Sequence, residues 1–430
     1  MKIIKIDNHI MKKSLIYLLS TLAFLVSCQV EPAPPAELFV TQTTESIPYR
    51  IPAIAAASNG DLIAVVDYRH SRSDIGMAPN GRIDLHARIS RDNGNTWGEI
   101  FPIVEGKGAA SEDFMHVGFG DPCIVADRES AKVLVVSCGG NVSFPRGTRE
   151  NHQNIACFYS EDYGKTWSEP VDIAESIYSQ FDKSAVGPVR AMFIGSGKII
   201  QSAKVKLGDY YRLYCAALVK DVSGNNINFV FYSDDFGGSW SVLGGVDKTP
   251  IPTHGDEPKV EELPDGSIMI SSRAWGGRLF NIYTFSDDSM GDGAWAQMAY
   301  SAKGNNGTSA VDNACNGEVM LLPVVRKADG RKLHLMLQSV PLGPGRSNVG
   351  IYYKEFDFSE PVTPQMVAKD WDGCYQVSTL GSAYSTMCLQ KNNTVGFLYE
   401  EETHCNTSGG GYTIVYKNYT IEQLTSDKYK

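Results

Sequence analysis

Two arginines of this chain lie at the edges of apolar sequence, where an unpaired guanidinium would be costly. Arg50 opens the apolar stretch IPAIAAA, and Arg273 follows the apolar run SIMI. Such a position favours an anionic partner. A guanidinium never loses its charge and can hold a carboxylate through two parallel hydrogen bonds. If the fold brings these residues together, they would form a fixed cationic site for an anionic group.

The elements that must position them are marked by a repeated phrase. The sequences SRDNGNTW (90–97), SEDYGKTW (160–167) and SDDFGGSW (233–240) begin 70 and 73 residues apart, and a weaker echo, SDDSMGDGAW, covers 286–295. Before each full phrase runs a strand-like segment, IDLHARIS, IACFYS or NFVFYS. Another short extended segment follows each one. The phrase therefore indicates the turn of a β-hairpin.

The residue types of the phrase suit a turn and not a reaction. Its Asp can accept backbone N–H groups across the turn, its Gly can adopt a positive φ, and its Trp is an apolar wedge with one N–H. These residues are Asp92, Asp162 and Asp235; Gly94, Gly164 and Gly237; and Trp97, Trp167 and Trp240. We therefore expect them to be structural.

The interval between phrases accommodates one four-stranded sheet with its loops. Recurring sheets of this size with Gly and aromatic motifs are typical of β-propellers. Counted from residue 40, six units of about 65 residues would fill the chain. The sequence predicts an all-β fold, a six-bladed β-propeller of four-stranded antiparallel sheets. A β-sandwich would not explain one hairpin phrase recurring at this period.

Composition excludes some classes of function. The formal net charge of −10 argues against a nucleic-acid-binding surface. An acidic protein can still hold a local cluster of arginines, so a small anionic substrate remains possible. No cysteine occurs in a CxxC or zinc-finger spacing, and no cluster of His, Asp and Glu suggests a metal cage. We expect neither a metal nor a cofactor.

The N-terminus has the pattern of an export signal. Lys12 and Lys13 precede the apolar run SLIYLLSTLAFLVSC, which is too short for a comfortable membrane span and ends at Cys28. Ser27 before Cys28 is typical of a bacterial lipoprotein signal; an ordinary secretory signal is the alternative. We expect a signal segment at 1–28, a Pro-rich tether at 29–38 and the propeller at 39–430. The protein would be exported and anchored by lipid at Cys28, on the periplasmic, outer-membrane or cell-surface side of a membrane.

The phrases match the Asp box, S-x-D-x-G-x-T-W, and further segments sharpen the resemblance. YRIPA (49–53), DPCIVAD (121–127), GDEPKVEELPDGSIMISSR (255–273), AYSTMCL (383–389) and GFLYE (396–400) resemble segments of the bacterial exo-sialidases. The resemblance covers about residues 40–420, in order. It implies hydrolysis of terminal α-linked sialic acids, whose anomeric carbon bears a carboxylate.

The resemblance implies roles for single residues. Arg50, Arg273 and Arg346 would grip the substrate carboxylate. Arg346 lies in GPGRSN, and nearby Arg326 and Arg331 are its rivals. Because these arginines come from units one, four and five, only a closed ring could bring them together.

Three further residues would carry the reaction. By resemblance, Tyr384 is the nucleophile, Glu257 its base and Asp74 the acid. A phenol is neutral until activated, so the substrate carboxylate does not repel it, and tyrosine nucleophiles are known in sialidases. Glu261 and Glu262 are rivals of Glu257, and Asp67 and Asp84 are rivals of Asp74.

Two more residues resemble substrate contacts of the family: Arg69 would contact the polar substituents of the sugar ring, and Asp121 would lie near its amine or hydroxyl side.

The sequence departs from the family pattern at two places, where the segments MAPNG and GKGAASEDF make the chain longer. The sequence does not identify the residues that would hold the N-acetyl and glycerol groups, and aromatic residues near Phe181 or Tyr211 are only candidates.

The predicted function is that of a retaining exo-sialidase acting through a tyrosyl-enzyme intermediate. Its partners would be sialylated glycans, without nucleic acid, and the protein is expected to be a monomer. Two alternatives remain: a non-catalytic sialoglycan-binding propeller lipoprotein, and a trans-sialidase that transfers sialic acid to a sugar acceptor.

Overall fold

The structure, a computed structural model, describes residues 35–42, 46–404 and 411–430. The predicted signal segment with Cys28 lies outside the described residues, as does most of the tether. Strand β1 (Ala36–Phe39) begins inside the predicted tether and pairs Ala36 with Tyr416. The last residues assigned to the tether are therefore part of the folded domain.

The strands that follow form successive antiparallel sheets, which we call blades one to six in chain order. Blade one contains β2 (Tyr49–Ala56), β3 (Leu62–Arg69), β4 (Ile83–Ser90) and β5 (Phe101–Val104). Blade two contains β6 (Phe119–Ala126), β7 (Val133–Gly139), β8 (Asn154–Ser160) and β9 (Val171–Asp172). Blade three contains β10 (Ala191–Ile194), β12 (Ile200–Leu207), β13 (Tyr210–Lys220), β14 (Asn226–Ser233) and β15 (Ser241–Val242), while β11 (Gly197–Lys198) joins blade two, parallel to β6.

The second half of the chain repeats this pattern. Blade four contains β16 (Pro258–Glu262), β17 (Ile268–Ala274), β18 (Gly277–Asp287), β19 (Asp292–Trp295) and β20 (Ala299–Ala302). Blade five contains β21 (Val319–Val325), β22 (Lys332–Pro341), β23 (Val349–Phe356) and β24 (Gly373–Gln376). Blade six contains β25 (Ser382–Leu389), β26 (Val395–Glu401), β27 (Thr413–Tyr419) and β1.

Helices are few and short. The α-helices are α1 (Ala174–Tyr178), α2 (Pro364–Ala368) and α3 (Ile421–Leu424), and 3-10 turns occur at Gly108–Ala110, Met115–Val117, Phe144–Arg146, Ser179–Phe181 and Lys303–Asn305. None of the helices in the described part of the chain has the length and apolarity needed to cross a membrane.

The predicted six-bladed propeller is confirmed, and the packing between blades explains why the ring closes. Six apolar clusters lie one at each interface between neighbouring blades, the last joining blade six to blade one. The first strands of several blades, β2, β6, β16, β21 and β25, contact one another in neighbouring pairs around the axis. Because β1 completes blade six, the two ends of the described chain meet in one sheet.

Blades two, three and four differ from the prediction because each has a fifth strand. Strands β13 and β18 have 11 residues each, longer than the strands around them. Each long strand pairs with two short ones in series along one edge: β10 and β12 along β13, and β19 and β20 along β18. Strand length therefore accounts for the extra strand in blades three and four.

The repeated phrases are hairpin turns, as predicted. In the turn between β8 and β9, Asp162 Oδ1 accepts the Thr166 backbone N–H at 2.9 Å, and the Trp167 indole N–H donates to Gly164 O at 3.0 Å. Gly164 has φ +80°. The phrases of blades one and three make the same bonds. The echo at 286–295 also turns a hairpin, but the Trp295 indole N–H finds no partner among the described residues.

Candidate active site

Breaks in strand pairing present several of the predicted site residues at one end of the ring. The register shifts between Arg50 and Ala53 in β2, between Gly120 and Cys123 in β6, and between Ser382 and Ser385 in β25. Such bulges re-aim side chains and are frequent beside active sites. Ile51 and Asp121 have φ +57° and +55°, an uncommon and costly conformation for an isoleucine above all.

The centre of the site is the phenol of Tyr384, which the fold places against two residues of blade four. The Tyr384 hydroxyl donates a short hydrogen bond to Glu257 Oε1. Arg273 Nη1 donates to Glu257 Oε2 at 2.8 Å and to the Tyr384 oxygen at 3.2 Å. Tyr384 is 6% exposed. The three groups form a closed triangle in which one cation holds both the phenol and its acceptor.

The protonation states of this triangle follow from burial and charge. Burial raises the pKa of the Tyr384 phenol well above its usual value, and the Glu257 carboxylate raises it further against the opposing effect of Arg273. Burial also opposes ionisation of Glu257, but Arg273 and the hydrogen bond from Tyr384 outweigh it, so the pKa of Glu257 lies below its usual value. The resting site therefore holds a protonated phenol and an ionised carboxylate.

Arg50 and Arg346 complete the cationic surroundings of the phenol. Their guanidinium carbons each lie 5.6 Å from the centroid of the Tyr384 ring. Arg50 Nε donates to Glu400 Oε1 at 2.7 Å. The Arg346 guanidinium makes no ion pair with any described residue. The arginines predicted from units one, four and five thus converge on one tyrosine, and Arg346 is left free to bind an anion.

The rival arginines lie elsewhere in blade five. Arg326 pairs with Asp329 at 2.6 Å and with Glu355 at 2.9 Å. Arg331 pairs with Asp357. Their charges are therefore already matched by acidic residues of the same blade.

A second polar cluster surrounds Arg69, at the end of β3. Its guanidinium donates through Nε and Nη2 to Asp67 Oδ2, at 2.9 and 2.7 Å, and through Nη1 to Asp74. Asp121 Oδ1 lies 4.0 Å from Arg69 Nη2. Arg69 is fully buried, whereas the Asp74 side chain is 72% exposed. One arginine thus connects the predicted acid Asp74 with the predicted substrate contact Asp121.

Charge and burial shift the pKa values of these carboxyl groups in opposite directions. Arg69 lowers the pKa of Asp74, and Arg50 and Arg346 lower it further against the effect of burial. Burial raises the pKa of Asp67 to about 6 and that of Asp121 well above its usual value. In the resting site, Asp74 is therefore the most acidic of the three.

The rival acids are occupied by other partners. Asp84 is buried and bonds His70 Nε2 at 2.7 Å and the Gly106 backbone N–H at 2.8 Å. Glu261 pairs with Lys198 at 2.9 Å, and Glu262 accepts the Ala203 backbone N–H at 2.6 Å. Asp67 lies beneath the site, where it also accepts the backbone N–H of Asp121 at 2.9 Å.

Sequence reasoning missed Glu400 and Asp256. Glu400 is fully buried, and its Oε2 accepts the backbone N–H of Tyr384 at 3.0 Å. Asp256 Oδ2 lies 3.2 Å from Arg273 Nε. Glu400 follows the apolar run GFLY, just as Arg50 precedes an apolar run. A charged residue in such a position needs a partner of opposite charge, and this pattern could have identified Glu400.

Burial excludes Phe181 itself as a contact for the N-acetyl and glycerol groups, whereas the assignment of aromatic residues near Phe181 or Tyr211 stays a prediction. Phe181 is fully buried in the core between blades two and three, where it packs edge-on against Phe229. The Tyr211 ring lies under Arg128, 4.3 Å from the guanidinium carbon. Both rings are thus committed to packing within blades two and three.

No group of three or more potential metal ligands occurs among the described residues, and the absence of a metal or cofactor stays a prediction.

The decisive comparison is with known families: the BNR repeat-like domain matches residues 80–352, more than half of the chain. The chain belongs to this family. Curated relatives of the chain include bacterial sialidases, so the predicted relationship to the bacterial sialidases is confirmed, as is the assignment to the glycoside hydrolases.

Individual relatives of this BNR-family chain cover most of its length. A sialidase of Paraclostridium sordellii is 26% identical over 361 residues, 82% of this chain and 81% of the relative. Among solved structures, the Hadza microbial sialidase Hz136 superposes with a TM-score of 0.65 at 21% identity, covering 88% of this chain and 67% of its own. The intramolecular trans-sialidase of Ruminococcus gnavus, solved with oseltamivir carboxylate, has a TM-score of 0.68 at 17% identity, covering 91% and 98%.

Proposed function

We propose that this protein is a retaining exo-sialidase that removes terminal α-linked sialic acids from glycoconjugates through a tyrosyl-enzyme intermediate. The observation that carries the proposal is the hydrogen-bonded triangle of Tyr384, Glu257 and Arg273. A tyrosine needs a base within hydrogen-bond reach to become a nucleophile, and here that base is already in contact.

The arginines account for substrate recognition. Sialic acid carries a carboxylate on its anomeric carbon, and the free guanidinium of Arg346 can bind it. Arg50 and Arg273 keep their own acidic partners, Glu400 and Glu257, and add positive potential on either side. A carboxylate held there would bring the anomeric carbon to the Tyr384 oxygen.

The first displacement forms a tyrosyl glycoside. The Tyr384 oxygen attacks the anomeric carbon while its proton passes to Glu257 Oε1, and the glycosidic C–O bond breaks. The leaving oxygen takes a proton from Asp74. Because the pKa of the free phenol is high, proton transfer must accompany attack and not precede it.

The second displacement reverses these roles. Water attacks the anomeric carbon and gives its proton to the Asp74 carboxylate, while the Tyr384 oxygen departs and recovers its proton from Glu257. Each displacement inverts the anomeric carbon. Two inversions give net retention.

Asp74 must be protonated to act as the acid, although its pKa is low in the resting site. The arginines that lower it are the same residues that would bind the substrate carboxylate. A bound carboxylate cancels part of their positive potential and therefore raises the pKa of Asp74. Substrate binding would itself prepare the acid.

The test is hydrolysis of a fluorogenic sialoside by the native protein and by Tyr384→Phe. The variant should lose nearly all turnover and still bind a sialic-acid analogue. Glu257→Gln should lose about 10²–10⁴-fold, the usual contribution of a positioned base. Tyr214→Phe, a change at a fully buried tyrosine in the core between blades three and four, is the control. Binding of sialosides without turnover by the native protein would favour a glycan-binding module, and full activity of Tyr384→Phe would overturn the mechanism.

We further propose that the protein is an exported lipoprotein that meets sialylated glycans outside the cytoplasm. The support is the sequence pattern of Lys12 and Lys13, an apolar run and Cys28. Cells that express the chain should incorporate labelled palmitate into it, and Cys28→Ser should not be labelled. Labelling of the variant would contradict the anchor.

A further inference from the structure

The two neighbours Asp74 and Ile75 have opposite environments. The Asp74 side chain is 72% exposed, whereas Ile75 is 2% exposed. Of residues 71–80, all of which the structure describes, Ile75 alone is buried. The loop that carries the proposed acid therefore has a single apolar anchor, and it lies directly beside that acid.

The anchor reaches a small apolar cluster formed by three blades. Ile75 packs with Ile83 of blade one, Cys138 of blade two, and Phe193 and Leu218 of blade three. A methyl group placed on Gly120 would lie 3.5 Å from Ile75 Cδ1, so the side chain also lies against the strand that presents Asp121. The loop is thereby tied to rigid strands on two sides of the site.

Close packing around three glycines holds the far side of the loop. Gly76 has φ +67°, and a Cβ there would lie 2.3 Å from Ser143 N. A Cβ on Gly81 would lie 2.8 Å from Val117 Cγ1, and one on Gly108 would lie 2.4 Å from Asn80 Oδ1. The two segments that are longer than the family pattern, 77–81 and 106–114, therefore pack against each other at Asn80 and Gly108, which ties down the chain that follows Ile75.

We propose that Ile75 is a positioning residue for catalysis: its burial in this cluster holds the Asp74 carboxylate on Arg69 and at the leaving-group oxygen. This inference rests on the proposed role of Asp74 as the acid. Ile75 touches neither the substrate nor the reacting atoms. Its effect must therefore be confined to the two displacements in which Asp74 donates or accepts a proton, and only the first of them depends on the leaving group.

That step can be isolated by the choice of leaving group. A sugar alcohol leaves only when it is protonated, whereas a nitrophenol leaves readily as its anion. The quantity to compare is kcat/KM, because it reports the first displacement and not the later attack of water, in which Asp74 acts as the base. Ile75→Ala should therefore lose at least about tenfold in kcat/KM on sialyllactose and stay within about threefold on 4-nitrophenyl sialoside. Asp74→Asn should show the same selectivity in a larger degree, and Ile75→Val should recover most of the lost rate.

Ile83→Ala is the matched control, because Ile83 belongs to the same cluster and is equally buried, but lies on β4 and not in the loop. It should affect both substrates by one common factor, as a loss of folded protein would. Gly76→Ala is the second variant: it displaces the loop without touching the cluster and should reproduce the selectivity if Ile75→Ala does not fold.

The outcomes separate this inference from the function on which it rests. If Asp74→Asn is selective and both loop variants are not, the positioning role of Ile75 is wrong. If Asp74→Asn shows no selectivity, the acid itself has been assigned wrongly. If Ile75→Ala and Ile83→Ala each lose the same fraction of activity on both substrates, Ile75 contributes only to folding and not to positioning Asp74.

Discussion

Arg50 of blade one and Glu400 of blade six form an ion pair across the seam where the ring closes, with Nε and Oε1 2.7 Å apart. Glu400 is fully buried, and Arg50 is nearly so. The same carboxylate accepts the backbone N–H groups of Ile51 and Tyr384, at 2.8 and 3.0 Å. One buried carboxylate therefore fixes a strained strand, an arginine and the proposed nucleophile together.

Removing the negative charge at this position should affect stability and activity at once. Glu400→Gln leaves the Arg50 charge buried without its partner, and breaking a buried pair typically costs about 3–5 kcal/mol. Turnover per folded molecule should also fall, since the amide satisfies fewer of the N–H donors that hold β2 and β25. Urea unfolding and sialoside kinetics at matched folded fraction measure the two effects.

Glu401→Gln supplies the comparison. Glu401 is the next residue of β26 and is also buried, but it accepts hydrogen bonds from the Tyr399 and Thr403 hydroxyls, away from the arginines. It should leave turnover per folded molecule unchanged. Equal kinetic losses in both variants would mean that Glu400 has no special connection to the site.

Arg346 should show the opposite balance, with a large effect on binding and a small one on stability. Its guanidinium has no ion pair to lose among the described residues, so Arg346→Ala should change the free energy of unfolding by less than about 0.5 kcal/mol. Loss of a charged hydrogen bond to the ligand carboxylate, about 1.5–3 kcal/mol, corresponds to a roughly 10–150-fold higher Kd for a sialic-acid analogue. Calorimetric titration measures that Kd.

Arg331→Ala tests whether the effect is specific to this arginine and not to the charge of blade five. Arg331 pairs with Asp357, so the variant should bind the analogue as the native protein does. A similar weakening in both variants would indicate long-range attraction, which rising salt would abolish.

The fold could be predicted because its signal is local and repeated. The hydrogen bonds of Asp162, Gly164 and Trp167 are made within a single turn, so the phrase forms the same turn wherever it occurs. The closing strand Ala36–Phe39 has no such signal, since the sequence AELF becomes a strand only when β27 offers it an edge. The fifth strands of blades three and four were missed for a related reason, because pairing along the eleven-residue strands depends on neighbours brought in by the fold.

The site was predictable through the family resemblance and less so through the residues themselves. Glu400 and Glu401 are adjacent acids at the end of one apolar run, and side chains alternate across a strand. Only the closed ring shows that Glu400 is the one that meets Arg50. The environment of Ile75 is equally nonlocal, because its cluster combines residues from three blades.

Asp256 gives the site a dependence on pH. Burial, reinforced by the neighbouring Glu257 charge, raises its pKa to about 6. Below that pH the carboxyl group of Asp256 is neutral, so Arg273 has one fewer negatively charged partner within the protein. Above it Asp256 is ionised, 3.2 Å from Arg273 Nε, and competes with the ligand carboxylate. Affinity for a sialic-acid analogue should therefore fall as the pH rises through about 6.

Asp256→Asn should flatten this part of the profile. Its amide oxygen can still accept the Glu257 backbone N–H, which donates to Asp256 Oδ1 at 2.9 Å, so the local turn is preserved while the titrating charge is removed. Between pH 5 and 7, the Kd of the native protein should rise more steeply than that of the variant, with one proton limiting the difference to about tenfold per pH unit. Because Asp67 also has a pKa of about 6, some slope should persist in the variant. Superimposable profiles for the two proteins would show that Asp256 does not govern the affinity.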